Sequence, residues 1–433
     1  MAFRKLIKAF IPNRLFSVIE PYGHLGEAVF LQSINSFPAR GLKVIGVTGT
    51  NGKTTTSFFI HSMLEKAGYQ VGLMSTIGYG VGTNITPQVH HMTNVSVPEM
   101  IGRLKEMKQQ EMEWLVLETT SHALAQYRVW GIPYSIAVMT NVTHEHLDYH
   151  RTFKRYVNAK RKLFQMADRN RGGLRTGIIN ADDASAKLFA SDISHPLMYG
   201  VKEGELRATQ VELSPSGVRY KAQYKGETYD ISCHIPGEFN VYNSLAAVGV
   251  GISLGLSKEQ IERGIQALNH VEGRMTHIDE GQKFDVIVDF AHTPDSFEKL
   301  LKNFRPIVRG RLVALFGTPG RRDQSKGAIQ GEIAGRYCDE VIVTEEDDRD
   351  VDGQTLMDSV AKGAEKAGKT REKDLFLVHD RTKAIEFALS RAQAGDTVLL
   401  LGKGHEKTIE RADGEHPWNE IELTHKILKR FRT

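Results

Sequence analysis

Apolar positions along this chain fall into short unbroken runs separated by longer stretches with helical spacing. Val44-Ile45-Gly46-Val47 is a β-branched run of the kind buried on both faces of a parallel sheet, and Phe58, Phe59, Met63 and Leu64 resume at helical intervals after a glycine-rich turn. The pattern predicts strand, loop, helix. Residues 71–74, 114–118, 135–140 and 176–180 repeat the strand pattern, and 98–107 reads as a helix with proline near its start. Between about 197 and 236 the runs become short and alternating, which predicts antiparallel hairpins. Residues 237–247 then open a helix rich in Ala, Val and Leu, in which Gly249, Gly251 and Gly255 suggest close packing. From about 274 a second set of strands follows at 285–289, 311–317, 340–344 and 397–402, with helices between. The expected class is α/β, with a mostly parallel sheet plus a small antiparallel part, then a small doubly wound domain.

Residues 1–42 stand apart from this alternation. Phe3, Leu6, Ile7, Phe10 and Ile11 make an apolar stripe with Arg4, Lys5, Lys8 and Arg14 around it, before Pro12 and Pro21 interrupt the pattern. Such a basic amphipathic helix suits an anionic membrane surface, with contact through residues 3–16, or docks on the next domain by the same stripe.

Composition narrows the classes. A chain of 433 residues, 40% apolar and 25% charged, has core enough for about three domains. Its net charge of +4 is too small to argue a nucleic-acid partner, so none is expected. Cys233 and Cys338 lie far apart without a CxxC, which indicates neither a disulfide framework nor a zinc site and fits a reducing cytoplasm. No stretch approaches about 18 uncharged apolar residues, and no cleavable signal pattern opens the chain.

Three clusters carry chemistry. In the turn from Gly46 to Thr56, glycines at 46, 49 and 52 let backbone N–H groups close around phosphate oxygens, Lys53 supplies a point charge, and Thr54 or Thr55 can hold Mg²⁺ at a helix N-terminus. Five residues separate Gly46 from Gly52, where the common G-x-x-x-x-G-K-[ST] pattern has four. The bland alternative is a tight turn with an incidental lysine. In the second cluster, Glu118 stands at a strand end before Thr119, Thr120, Ser121 and His122; it suits a hard cation, or caps the next helix. Next, residues 140–150 place His144, His146 and His150 with two acids after a strand, a polar rim in which His144 and His150 can equally be solvated. Asn141 and Asn180 also fall at strand carboxyl ends, where sites gather. In the third, Tyr156, Lys160 and Leu163 share one helix face, so Lys160 points inward while Arg161 and Lys162 point out.

These motifs resemble the Mur ligase family. Gly49-Thr50-Asn51-Gly52-Lys53-Thr54, the run from Glu118 to Leu124, the Thr-Asn then His-Leu-Asp-Tyr-His run of 140–150, and Tyr156-x-x-Ala159-Lys160-x-x-Leu163-Phe164 carry the likeness. So do Asn240-x-x-Asn243, Gly273-Arg274, residues 289–295 and Gly402-Lys403-Gly404-His405-Glu406, all in order along residues 43–410. The resemblance implies a central P-loop ATPase domain over 43–272 and a Rossmann-like, amino-acid-binding domain over 273–433. It further implies an ATP-dependent amide-bond ligase working through an acyl phosphate, which adds meso-diaminopimelate or L-lysine to a UDP-N-acetylmuramoyl-dipeptide in peptidoglycan precursor synthesis.

By the same likeness Gly49 to Thr55 would cradle ATP, with Asn243 at the adenine and Arg274 and Asp289 reaching the nucleotide. Thr54 and Glu118 would hold one Mg²⁺; His146 and a Lys160 carbamylated by CO₂ would hold a second, with Lys53, Glu118, His146 and Lys160 as the catalytic group. Ser75, Thr93, Ser121 and Arg128 would seat the acceptor, and Arg322, Asp347, Arg349, Gly402 and Glu406 the incoming amino acid. The family's Asp-Asn-Pro-Arg signature reads Glu346-Asp347-Asp348-Arg349 here: the arginine favours a distal carboxylate, the added acids a cationic end. Family members carry a domain-sized N-terminal module for the uridine diphosphate end, which 42 residues cannot form. A truncated N-terminal segment over 1–42 is therefore expected, in a cytoplasmic monomer acting on small molecules, with the inner membrane face as the place where the basic stripe would act. The alternatives are a folylpolyglutamate-like or other poly-amino-acid ligase, and a silent ATP-binding scaffold; the latter would have lost Lys53, Glu118, His146 or Lys160.

Overall fold

The computed structural model describes residues 13–88, 93–143, 145–214, 216–321 and 325–431, with the side chains of 13–19, 147, 148 and 325 outside the description. The stripe from Phe3 to Ile11, His144 and Arg322 therefore lie outside the described residues. The chain divides into two compact units, Met1–Val211 with Tyr220–Ser232 and Phe239–Leu268, and Glu212–Arg219 with Cys233–Glu238 and Asn269–Thr433.

The first sheet is built from β1 (Lys43–Thr48), β2 (Val71–Met74), β3 (Gly78–Val81), β4 (Asn84–Pro87), β5 (Trp114–Glu118), β6 (Tyr134–Met139), β7 (Thr176–Asn180), β8 (His195–Gly200), β9 (Leu206–Ser214), β10 (Gly217–Tyr224) and β11 (Glu227–Cys233). Their order is β11-β10-β9-β8-β7-β6-β1-β5-β2-β3-β4. From β8 to β2 the pairs are parallel, while β3 turns back antiparallel on β2 and β4 on β3. β1 has the apolar burial of a strand covered on both faces, and it lies between β5 and β6, so three chain segments leave the sheet side by side at its carboxyl edge.

Gly46 corrects the sequence reading. It lies inside β1, not in the phosphate turn, and a Cβ there would stand 2.6 Å from Leu163 Cδ1 and 2.7 Å from the Tyr134 ring. Its smallness seats the helix Phe153–Arg169 on the strand. Gly249 and Gly251, by contrast, have the close packing expected of them: a Cβ at Gly251 would meet Ile261 at 2.8 Å and Met63 Sδ at 2.9 Å, whereas Gly255 does not, since it lies past the helix at φ +69° with nothing within 4 Å of a Cβ. Pro21 does not break the N-terminal helix, which runs Asn13–Ile34 with the proline inside. Proline removes one backbone donor, and the helix is held elsewhere, by Ala28 and Leu31 against Val97, Ile101 and Trp130 and by Gln32 Nε2 donating to Trp130 O at 3.2 Å. Among the described residues no helix is long and apolar enough to cross a membrane.

The second unit carries β12 (Thr276–His277), β13 (Asp285–Asp289), β14 (Leu312–Phe316), β15 (Glu340–Val343), β16 (Leu375–Leu377) and β17 (Thr397–Leu401) in the order β12-β13-β17-β14-β15-β16, parallel except for β12. A ribbon of β18 (Thr408–Arg411) and β19 (Gly414–Pro417) is added. Val286, Leu315, Ile342, Leu400 and Ile427 are core members. Two helices, Ser325–Tyr337 and Gly353–Lys366, meet backbone to backbone: a Cβ on Gly331 would lie 2.0 Å from Val360 O, and one on Gly363 1.9 Å from Ala328 O.

Inside this unit Arg381 is fully buried and forks onto Glu420, with Nε to Oε2 at 2.6 Å and Nη2 to Oε1 at 2.8 Å. Removing one partner leaves an uncompensated buried charge, so Glu420→Ala should cost about 3–5 kcal/mol in urea unfolding. An unchanged midpoint would refute this.

In the first unit, burial pushes the His61 imidazole down to about 4, against opposing contributions from Glu65 and a Val71 backbone hydrogen bond. Between pH 6.5 and 4 the unfolded chain therefore binds a proton that the folded chain refuses. Stability from this group is fully present above 6.5 and is lost as pH falls towards 4, by on the order of 3 kcal/mol in all. In His61→Leu this part of the acid destabilisation should vanish, read as urea midpoints at pH 7 and 4.5; an unchanged difference between the two would exclude it.

Candidate active site

The turn after β1 is fixed by two glycines that no other residue could replace. Gly49 and Gly52 have φ of +156° and +83°, and added Cβ atoms would stand 1.9 Å from Thr140 Oγ1 and 2.2 Å from Asn243 Oδ1. Asn141, just past β6, holds the turn: its carbonyl accepts the Thr50 N–H at 2.8 Å, its side chain accepts from Asn51 N at 3.0 Å, and its Nδ2 donates to Asn51 O at 3.0 Å. Asn180 Nδ2 donates to Thr140 O at 2.7 Å, so the ends of β6 and β7 are tied together. Lys53 Nζ folds back to donate to Thr50 O at 2.8 Å. Thr54 and Thr55 are buried in the first turn of the helix Lys53–Lys66.

Glu118 closes β5 and is 1% exposed. Its Oε2 accepts from Thr54 Oγ1 at 3.0 Å and from the Thr76 N–H at 2.9 Å. It does not cap the next helix; Thr120 does, accepting the Ala123 N–H. Two hard oxygen donors thus sit together in a buried place beside a turn in which Gly49 and Gly52 carry no side chains, a donor set that suits Mg²⁺ and nucleotide phosphates.

Lys160 comes to the same turn from the helix Phe153–Arg169. It is 1% exposed, its Nζ is 2.5 Å from Gly49 O, and it lies 4.5 Å over the Tyr156 ring. Burial first, and the Lys53 charge second, push its pKa well below the usual amine range, while Glu145 and Glu118 act the other way. The Tyr156 hydroxyl is 3.0 Å from Thr50 Oγ1. His146 has φ +55°, its side chain is 44% exposed, and its ring is 4.7 Å from that of His122 and 6.1 Å from that of Tyr156.

The other expected residues of this unit lie along the neighbouring segments. Thr93 Oγ1 is 2.9 Å from Thr76 Oγ1, Ser75 Oγ donates to Gly78 O at 3.0 Å, and Arg128 Nη1 donates to Asn94 O. Asn94, which sequence reasoning passed over, donates from Nδ2 to Glu118 O at 2.7 Å and accepts the Thr120 N–H at 2.8 Å. His150, left open between solvent and site, is buried with Nε2 3.0 Å from Ser121 Oγ. Asn243 Nδ2 donates to Asn240 Oδ1 at 2.8 Å, and its Oδ1 faces Gly52.

In the second unit Asp289 ends β13 and accepts the Met275 and Ala291 N–H groups at 2.8 Å each; burial raises its pKa against the pull of Arg274, whose guanidinium lies 4.6 Å from the Phe290 ring. Asp347, expected to present charge to a substrate, is already engaged: its Oδ1 receives Lys403 Nζ and the Glu410 N–H at 2.9 Å each. Lys403, 1% exposed, also reaches Glu406 Oε2 at 2.6 Å. Asp348 Oδ2 is 2.8 Å from His379 Nε2. Arg349 donates from Nε to Glu410 Oε2 at 2.7 Å and from Nη1 to Gly320 O at 2.5 Å. Gly402 has φ +100°, and a Cβ there would come 2.8 Å from Glu346 Oε2, whose carboxyl burial pushes up to about 7. The sequence had pointed to the acids and the arginine; the Lys403 signal was its place between two glycines at a strand end.

The sequence pattern of the Mur ligase middle domain matches residues 47–251, and that of the Mur ligase glutamate ligase domain matches 273–404. A UDP-N-acetylmuramyl-tripeptide synthetase of Roseiflexus sp. (strain RS-1) is 38% identical over 420 residues, 94% of this chain and 82% of that protein. A UDP-N-acetylmuramoyl-L-alanyl-D-glutamate--2,6-diaminopimelate ligase of Geobacillus thermodenitrificans (strain NG80-2) is 36% identical over 396 residues, 90% of this chain and 79% of that protein. A solved structure of a ligase of the same description matches with TM-score 0.68 and 28% identity over 96% of this chain and 83% of its own. A folylpolyglutamate synthase of Mycobacterium tuberculosis reaches TM-score 0.71 at 14% identity over 87% of this chain and 92% of its own, a likeness of fold alone. The turn, the buried lysine and the strand-end glutamate thus occur in a chain whose two sheet domains both match one family, and the chain belongs to the Mur ligases, a family of ATP-dependent ligases.

Proposed function

We propose that this enzyme joins a diamino acid, meso-diaminopimelate in preference to L-lysine, to UDP-N-acetylmuramoyl-L-alanyl-D-glutamate at the expense of ATP. The observation that carries the reading is the meeting of Lys53, the Thr54–Glu118 pair and buried Lys160 on one glycine-shaped turn. In this reading residues 43–272 bind ATP and the acceptor, and residues 273–433 bind the incoming amino acid.

The chain's residues have three tasks. Backbone amides of the turn and Lys53 hold the triphosphate so that the acceptor carboxylate attacks the γ-phosphorus in line, with ADP leaving and an acyl phosphate formed. The incoming amine then attacks the acyl carbon, and inorganic phosphate departs with the proton count balanced by loss of one amine proton. Exclusion of water protects the acyl phosphate between these steps. Thr54 and Glu118 would hold Mg²⁺, which offsets phosphate charge. Lys160 is suited to carbamylation because burial favours its uncharged, nucleophilic amine: the nitrogen lone pair forms a C–N bond to CO₂, one proton is released, and a neutral amine becomes an anion. As an anion it would serve a second Mg²⁺ site with His146, and would ease its own repulsion from Lys53. For the amino acid, the charges of Asp347 and Asp348 are engaged by Lys403 and His379, and Arg349, held by Glu410 through Nε and by Gly320 O through Nη1, would turn its Nη2 to a distal carboxylate. The name of the Geobacillus relative agrees with that preference.

Phosphate release should require ATP, Mg²⁺, the muramoyl dipeptide and meso-diaminopimelate together, with a lower rate for L-lysine and none for L-glutamate. Equal rates for the first two would remove the role given to Arg349. For Lys160→Ala, kcat should fall about 10²–10³-fold, as when a preorganised charged group is lost from an active site. Formate or acetate should restore part of that rate and bicarbonate none; full activity in the variant would overturn the carbamate assignment.

A further inference from the structure

The short helix Leu147–His150 ends in a histidine turned into the protein. His150 is 5% exposed, and its Nε2 lies 3.0 Å from Ser121 Oγ. Its ring is packed by those of Tyr149, Tyr156 and His122, at centroid distances of 4.9, 5.3 and 5.4 Å. One of these rings, Tyr156, is fastened through its hydroxyl to Thr50 in the phosphate-binding turn at 3.0 Å. The cluster therefore joins the turn at one end to Ser121 at the other. Ser121 is 2% exposed and opens the helix Ser121–Ala125, but the cap of that helix is the Thr120 hydroxyl. The Ser121 hydroxyl is thus free of capping duty.

We propose that His150 is a positioning residue for the acceptor: its Nε2–H donates to Ser121 Oγ and so turns the single hydroxyl proton of Ser121 toward an oxygen of the bound peptide. A serine hydroxyl has one proton and two lone pairs, and the neutral imidazole has one donor and one acceptor nitrogen. Were Ser121 to give its proton to the ring, it would offer the peptide only lone pairs. A peptide acceptor bearing carboxylate and carbonyl oxygens needs the donor instead. The inference rests on the proposed function, in which the acceptor is an anionic muramoyl peptide, and on the family likeness that gives Ser121 to its seat.

The test is steady-state kinetics of the full chain with UDP-N-acetylmuramoyl-L-alanyl-D-glutamate varied. His150→Phe keeps a ring among its three neighbours and removes the donor; His150→Gln returns an amide donor. With thermal midpoints near that of the unmutated chain, H150F should raise the KM for the acceptor about two- to tenfold, the worth of one hydrogen bond. It should leave the KM for ATP within about twofold, and H150Q should recover part of the loss. Ser121→Ala should raise the same KM, and adding H150F to it should change nothing further. An acceptor KM unmoved in H150F, or effects of S121A and H150F that multiply, overturns the inference while the functional reading stands. No phosphate release by the unmutated chain with this acceptor overturns both.

Discussion

A primary amine kept out of water beside a second amine is the constraint around which the first unit is arranged. Lys160 has lost its hydration and keeps one close acceptor, the carbonyl of Gly49, in a place where Lys53 already brings positive charge to the same turn. Its depth is set by packing. Leu163, one turn along the same helix face, reaches the backbone of β1 because Gly46 has no side chain, and Tyr156 fills the other side. A single methyl group on Gly46 would push this face outward and lift the amine away from the turn.

Much of this arrangement was legible in the sequence because two periods suffice to place it. The β-branched run fixes β1, and the i, i+4, i+7 spacing of Tyr156, Lys160 and Leu163 fixes which of three basic residues turns inward. Gly46 was misread because a glycine just before a glycine-rich turn looks like part of it; only the neighbours at 2.6 and 2.7 Å tell a packing glycine from a cradle glycine. Without the resemblance Glu118 stayed open, since a strand-end carboxylate capping a helix and one bonded to a distant threonine look alike until Thr54 is brought from sixty-four positions away. His150 was ambiguous for a related reason: burial of a loop-flanking histidine depends on rings from three separate segments. Pro21 shows the limit of breaker rules, because tertiary anchoring at Ala28 and Leu31 holds a helix that local propensity would divide.

The second unit spends most of its charge on itself. Lys403 binds Asp347 and Glu406, Arg411 binds Glu345, Arg349 binds Glu410, and the Arg381–Glu420 pair lies beneath. The added acids at 347 and 348 argued for a cationic substrate end, yet each acid of 345–350 except Glu346 has a basic or amide partner in this unit. Burial instead raises the Glu346 carboxyl to about 7 against the pull of Arg381 and Lys403, so near neutral pH it is only partly ionised. Sequence shows how many charges there are; only the fold shows which are already neutralised.

The two helices that meet main chain to main chain have one more effect. Ser325–Tyr337 follows the loop after β14, and Gly353–Lys366 follows the loop after β15, which carries the Arg349 that the proposed function gives to the incoming amino acid. With Gly331 and Gly363 pressed onto carbonyls of the opposite helix, no layer of side chains lies between them to yield or swell. In the proposed reading, the spacing at which the two helices leave their loops would be inherited from glycines that no substrate ever touches, like a caliper locked at its hinge. Selection for a longer or shorter amino acid would then act on those remote helices as strongly as on the charged groups at the mouth.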